Sequence, residues 1–281
     1  AQHVDLFAVD ANATYGDEPL QIEAEATSGL PVVFESSNPD VLEVNGTQLK
    51  IRGAGEATIY AYQDGDANFD PANEVNATIV VHTAELEVIA HFSSKAYLEP
   101  VPELTYHYEG FVNDENASVL DLEPEIFTTA NDASPAGEYP ITVDGGFAEN
   151  YHFHYLGAEL IVGAGAQHID LFAVDANATY GDQPLQIEAE ATSGLPVEFA
   201  SSNPDVLEVN GTQLKIRGAG EATIYAYQDG DANFDPAAEV NATITVHTAQ
   251  LEVIAHFSSK AYLEPIPELT YHYEGFVNDE N

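Results

Sequence analysis

The chain repeats itself. Residues 166–281 align with 1–116 without a gap and differ at eight positions: Val4/Ile169, Glu18/Gln183, Val33/Glu198, Glu35/Ala200, Asn73/Ala238, Val80/Thr245, Glu85/Gln250 and Val101/Ile266. In a sequence of this kind one folding solution recurs along the chain, and missing the repeat would misassign the whole fold. Copies this alike report a recent tandem duplication and say little about which positions matter. The second copy stops at Asn281, in the middle of a unit. The expectation is therefore an array that continues beyond this chain.

Each unit divides into two modules of about 80 residues, giving 1–83, 84–165, 166–248 and a partial 249–281. The joints "HTAEL" at 82–86 and "VGAGAQH" at 162–168 are too short to be tethers. Inside the modules the hydrophobic period is two. In "LQIEAEA", Leu20, Ile22, Ala24 and Ala26 alternate with Gln21, Glu23 and Glu25, the pattern of a half-buried strand with a wet acidic face. In "VNATIVV", Val75, Ala77, Ile79 and Val81 point inward, and the second copy tolerates Thr245 at the outward place of Val80. In "PVVFESS", Val32 and Phe34 point inward. Glu198, at the place of Val33, requires that face to be solvated. Asn45-Gly46 between apolar alternations is a strong hairpin signal. The later module offers "LEVIAHF", "LTYHYEGF", "EIFTTA", "EYPITV" and "YHFHYLGAELIV". No stretch keeps a helical period over three turns. Short strands with regular turns predict an all-β chain of tandem immunoglobulin-like antiparallel β-sandwich modules, strung as beads.

The formal net charge is −42, from 48 acidic residues against six Lys and Arg. Nucleic acid and anionic membranes are poor partners for such a surface, whose charge their phosphates repel. Hydrophobic content of 44% separates the chain from disordered acidic tails. The acid excess fits either a surface adapted to high salt, where the Debye length falls to about 3 Å at 1 M, or one that collects divalent cations. There is no cysteine, so no disulfide holds the modules. No apolar run is long enough to cross a bilayer, so no membrane insertion is expected of this segment. Any targeting signal or anchor is expected outside it.

The stretches "TYGD", "SGLPVVFESSNPDVLEVNG" and "GAGEATI" resemble the MBG and bacterial immunoglobulin-like repeats of large prokaryotic cell-surface proteins. "KAYLEPVPELTYHYEGFVNDENASVL", "SPAGEYPITVDGG" and "NYHFHYLGAELIV" are similar to a companion MBG type, with Tyr97-Leu98-Glu99 where Tyr-Gly-Asp is usual. The resemblance implies extracellular stalks and adhesins and carries no catalytic residues.

Seven asparagines stand in N-x-[ST] acceptor motifs: Asn12, Asn45, Asn76, Asn116, Asn177, Asn210 and Asn241. They are candidate N-glycosylation sites, in a cell that has the machinery; a salt-loving archaeon would account for charge and acceptors together. "DGDANFD" places Asp64, Asp66, Asn68 and Asp70 at alternate positions, an oxygen-donor set that could serve Ca2+. The EF-hand pattern is not met, because Phe69 occupies the Gly position. The alternative is a solvated Asx turn. "NDEN" at 113–116 is a second, weaker set. His91, His107, His152 and His154 crowd one module, and the last two share a strand face. No nucleophile elbow, phosphate loop or arranged acid–base pair is present, so no enzyme activity is expected. The sequence predicts a structural repeat of an extracellular fibre, sheath or adhesin stalk, partnered by copies of itself or by its own continuation. The alternative is an adhesive module that recognises a glycan or another cell surface, with Tyr60, Tyr62, Tyr106 and Tyr108 stacking on sugars.

Overall fold

The computed structural model describes residues 1–7, 9–172 and 174–280. The chain groups into two compact units. The first comprises Ala1–Lys95, Pro100–Asp132 and Gly137–Val162, the second Ala96–Glu99, Ala133–Ala136 and Gly163–Asn281.

The first sandwich is built from β1 (Val4–Phe7), β2 (Asn12–Thr14), β3 (Leu20–Gln21), β4 (Glu23–Ala26), β5 (Val33–Ser36), β6 (Leu42–Asn45), β7 (Gln48–Ile51), β8 (Gly55–Tyr62) and β9 (Val75–His82). One sheet has the order β2-β9-β8-β5; β3-β7-β6 and the β1-β4 pair make the other side. Between them Ile22, Leu42 and Leu49 meet Ala57, Ile59 and Ile79. The predicted alternation is obeyed residue by residue: Ile22 and Ala26 are buried, while Gln21, Glu23 and Glu25 are exposed. Val33 is 46% exposed, which is why Glu198 can replace it. The hairpin closes through Gly46 and Thr47, with Asn45 still paired to Gln48. Gly46, at φ +65°, supplies the left-handed first position of a two-residue turn.

The second sandwich uses β10 (Ala84–Ala90), β11 (Ser93–Ala96), β12 (Tyr106–Glu109), β13 (Leu122–Thr128), β14 (Gly137–Phe147), β15 (Tyr151–Leu156) and β16 (Ala158–Gly163). Its sheets have the orders β12-β10-β15 and β11-β16-β14-β13. Val88, Ala90, Ile141, Val143 and Leu160 form its core. The run 151–162 is two strands in different sheets. The chain crosses between them at Gly157, where a Cβ would lie 2.8 Å from the Ile141 carbonyl oxygen.

After this, nine strands from β17 (Ile169–Phe172) to β25 (Val240–His247) repeat the first sandwich, and β26 (Glu252–Ala255) and β27 (Tyr271–Glu274) form an antiparallel hairpin. The sandwiches are not wholly antiparallel. β2 runs parallel to β9 and β10 parallel to β15. These partners are far apart in sequence, so no tight turn dictates their direction.

The Tyr-Gly-Asp turn explains its own spelling. The Thr14 amide donates to Asp17 Oδ2 at 2.8 Å and the Asp17 amide returns to the Thr14 carbonyl at 3.0 Å, while Gly16 sits at φ +98°. Tyr97-Leu98-Glu99 makes the same turn. The Ala96 amide donates to Glu99 Oε2 at 3.1 Å, and Leu98 is held at φ +66°. A left-handed conformation costs an L residue about 1–2 kcal/mol, of which glycine would give back about half in chain entropy. Leu98 is largely exposed, so its side chain contributes little burial. Leu98→Gly is therefore expected to raise stability by about 0.5–1 kcal/mol, read as a higher urea midpoint at unchanged m-value.

Candidate functional site

The most developed constellation in the chain lies where the two sandwiches of the first unit meet. Only Thr83 separates β9 from β10, and the hydrophobic core does not stop there. Ala84, Leu86, Ala148 and Tyr151 belong to the same buried cluster as Ile22, Leu42, Ile59 and Ile79. Around this core the polar groups are matched across the joint. The Ala84 amide donates to the Asn150 carbonyl at 2.9 Å, and Asn150 Oδ1 accepts from the Ala54 amide at 2.8 Å. Gly53 is required here, because a Cβ would lie 2.9 Å from the Asp40 carbonyl and 3.2 Å from Asn150 Oδ1.

Tyr15, from the Tyr-Gly-Asp turn, is 6% exposed and Tyr151 is 4% exposed. Their rings meet edge to face at 5.7 Å and 85°. Glu115 accepts from both phenols, from Tyr15 on Oε1 at 2.8 Å and from Tyr151 on Oε2 at 2.5 Å. The Tyr151 oxygen in turn accepts from the Val112 amide at 3.0 Å. Glu115 is delivered by a loop bent through two consecutive left-handed residues, Asn113 (φ +55°) and Asp114 (φ +59°), the side-chain types that tolerate this conformation best after glycine. Two buried hydroxyls and one half-buried carboxylate thus satisfy one another at the joint.

Burial first, and then the hydrogen bond to Glu115, push the Tyr15 and Tyr151 phenols above their ordinary value; burial does the same to Tyr108. The fold favours the neutral phenol. Its contribution to stability is complete below the unfolded value of about 10 and is lost as pH rises through the folded values. Urea midpoints are expected to be flat to about pH 10 and then to fall. In a Tyr15→Phe/Tyr151→Phe chain the fall is shallower, with Tyr108 accounting for part of the remainder.

The residues singled out in the sequence are placed as follows. Asn12, Asn45, Asn76, Asn116, Asn177, Asn210 and Asn241 are all exposed. Asn12 Oδ1 lies 3.3 Å from His82 Nε2, and Asn116 Oδ1 accepts from the Ser118 amide at 3.0 Å. Asp66 Oδ1 accepts from the Asn68 and Phe69 amides at 2.7 and 2.9 Å, an Asx turn. Asp64, Asn68 and Asp70 are exposed around it. Of "NDEN", Glu115 is engaged with the two tyrosines. The histidines line the outer face of the β12-β10-β15 sheet. His91 Nε2 lies 2.8 Å from His107 Nδ1, and His152 and His154 stand beside Glu85 and Glu87. Ligand atoms of Glu85, Glu87 and His154 come within 4.8 Å of one another, one donor short of the four a structural zinc site uses. Tyr106 and Tyr108 pack into the second core, with Tyr106 donating to the Pro124 carbonyl at 2.9 Å, so their faces are not free for sugars. Tyr60 and Tyr62 are half-buried on the outward side of β8. The Tyr15–Glu115–Tyr151 set was not foreseen. Its members lie 100 and 36 residues apart, and the available signal was the return of a tyrosine at each such turn, at Tyr15, Tyr97, Tyr180 and Tyr262.

These features define an all-β chain of tandem immunoglobulin-like sandwiches. Residues 86–161, within the second sandwich, match the family described as MBG domain (YGX type). Among solved structures, Drosophila N-cadherin EC1-4 aligns at 13% identity and TM-score 0.33, over 88% of this chain and 76% of that one. Sidekick-1 immunoglobulin domains 1-5 align at 13% and 0.30, over 87% and 58%. Surface layer protein SbsC, domains 1-6, aligns at 11% and 0.23, over 97% and 48%. At these scores the likeness carries no argument about role. A search of curated protein sequences finds no match. Among the described residues, no helix is long and apolar enough to cross a membrane.

Proposed function

We propose that the chain is a structural repeat of an extracellular fibre, sheath or adhesin stalk, made of modules 1–83, 84–165, 166–248 and 249–281. The observation that carries this reading is the shared core of the first unit. Two sandwiches held to each other by a polar network around Glu115, rather than lining a cleft with it, are suited to bearing load and spacing. The reading assigns no catalytic residue. Small-angle scattering on chains of one, two and three units tests it: the maximum dimension should grow in equal steps, and a dimension that saturates after the first unit would contradict it.

Exposure of all seven acceptor asparagines supports N-glycosylation of this surface. Intact mass spectrometry of native material should show hexose-type increments at those peptides, and bare peptides throughout would remove glycans from the account. The acid excess fits an exterior that relies on salt screening. Loop 64–70 is read as a turn, since Asp66 is engaged by its own backbone. One titration separates the two cation readings. Melting temperature should rise with KCl and be indifferent to a chelator at fixed ionic strength; a calcium site filled at a hundred times its Kd would instead add about 2.7 kcal/mol.

A further inference from the structure

The outer face of the β12-β10-β15 sheet carries two glutamates and two histidines at the corners of one small rectangle. Leu86 and Val88 of β10 are fully buried and Tyr151 of β15 is nearly so, so period two turns Glu85, Glu87, His152 and His154 outward. The two strands run parallel, with Glu85 beside His152 and Glu87 beside His154. Adjacent strands lie about 4.8 Å apart and alternate residues of one strand about 6.6 Å apart, so all four side chains reach a common point above the sheet. β10 is paired on both sides and anchored in the core through Leu86 and Val88, which fixes the backbone beneath them.

The donor atoms already stand close together. His152 Nε2 lies 3.3 Å from Glu85 Oε2, and His154 Nδ1 lies 3.5 Å from Glu87 Oε1. A tetrahedral ion with ligands at about 2.0–2.2 Å needs its donors about 3.4 Å apart, and both pairs meet that spacing. Ligand atoms of Glu85, Glu87 and His154 fall within 4.8 Å of one another, a gap that rotation of these outward side chains closes. His152 supplies the fourth donor. The Thr83 hydroxyl lies 3.1 Å from its Nδ1. With the Nδ1 proton donated there, Nε2 presents its lone pair toward Glu85, the way a partner group fixes the tautomer of a metal-binding histidine. On the other side Glu109 of β12 stands directly opposite Glu87, a like-charge pairing that is unfavourable until a cation offsets it.

We infer that Glu85, Glu87, His152 and His154 form a binding site for Zn2+. Two imidazoles and two carboxylates suit zinc, whereas Ca2+ and Mg2+ take oxygen ligands. The bound ion ties β10 to β15 across 67 residues of sequence. In a chain without cysteine it acts as a staple, and a metal clip stabilises most when the loop it closes is long. The inference goes beyond the fibre reading and does not rest on it. Protein prepared without added zinc leaves so open a site unfilled, so a chelator alone changes nothing there.

The test uses the full 281-residue chain in high KCl, which screens the surface charge. Calorimetric titration with ZnCl2 should show binding, and ZnCl2 should raise Tm where MgCl2 at the same concentration does not. His152→Gln/His154→Gln should weaken the binding at least tenfold and remove the rise in Tm. His91→Gln/His107→Gln, on the same sheet face but outside the rectangle, should keep the rise. All four histidines are exposed, so neither variant empties a core site. No rise in Tm with zinc, a rise that survives His152→Gln/His154→Gln, or an equal response to MgCl2 overturns the site.

Discussion

Leu86→Ala is expected to cost about 2–5 kcal/mol, the range for emptying a fully buried leucine site, whereas Leu251→Ala, the same substitution 165 positions later, should cost about 0.5 kcal/mol or less. The two leucines sit in nearly identical sequence. Leu86 is 0% exposed and Leu251 is 46% exposed. The difference is their surroundings: β10 has β12 on one side and β15 on the other, while β26 pairs with β27 alone among the described strands. Leu86 lies in the cluster that runs from the first sandwich into the second, so its loss should lower the unfolding free energy of both. Urea unfolding of the two variants, followed by circular dichroism, gives the comparison within one chain. Equal effects at the two positions would mean that the shared core does not exist.

Gly16→Ala is expected to cost about 2–5 kcal/mol. Two terms contribute. The residue is at φ +98°, which costs an L side chain about 1–2 kcal/mol. Its Cβ would lie 2.7 Å from the Val112 side chain, and forcing an extra carbon into a packed site costs about 1–3 kcal/mol. Gly29 separates the terms. It is also left-handed, at φ +73°, but nothing lies within 4 Å of its would-be Cβ. Gly29→Ala should therefore show the conformational cost alone. The excess at Gly16 measures how tightly the Tyr-Gly-Asp turn is pressed against the loop that carries Glu115. If both variants lose the same amount, the turn and that loop are not in contact.

Local rules of alternation read correctly because they concern neighbours. Ile22 and Ile79 face inward and Glu23 and Asn76 outward, as period two requires, and the Val33/Glu198 exchange marks a wet face. The Gly at position 16 announced a left-handed turn, whereas Leu98 at the same turn concealed one. Direction was harder. Nothing in the spacing of β2 and β9, or of β10 and β15, specifies a parallel pair. The joint was not legible at all: Tyr15 and Glu115 stand 100 residues apart, and each alone reads as an ordinary turn tyrosine and an ordinary acid in a chain with 48 of them.

The two sandwiches of the first unit should open together, because they share one core. Native-state hydrogen exchange on the full chain measures it directly. Peptides 75–82 and 139–144 report the first and second sandwiches, and neither sequence recurs in the second copy, where Thr245 replaces Val80 and 139–144 has no counterpart. The account predicts that their slowest amides exchange with the same opening free energy and that Glu115→Ala lowers both together. Protection that persists in one peptide while the other exchanges freely would contradict it.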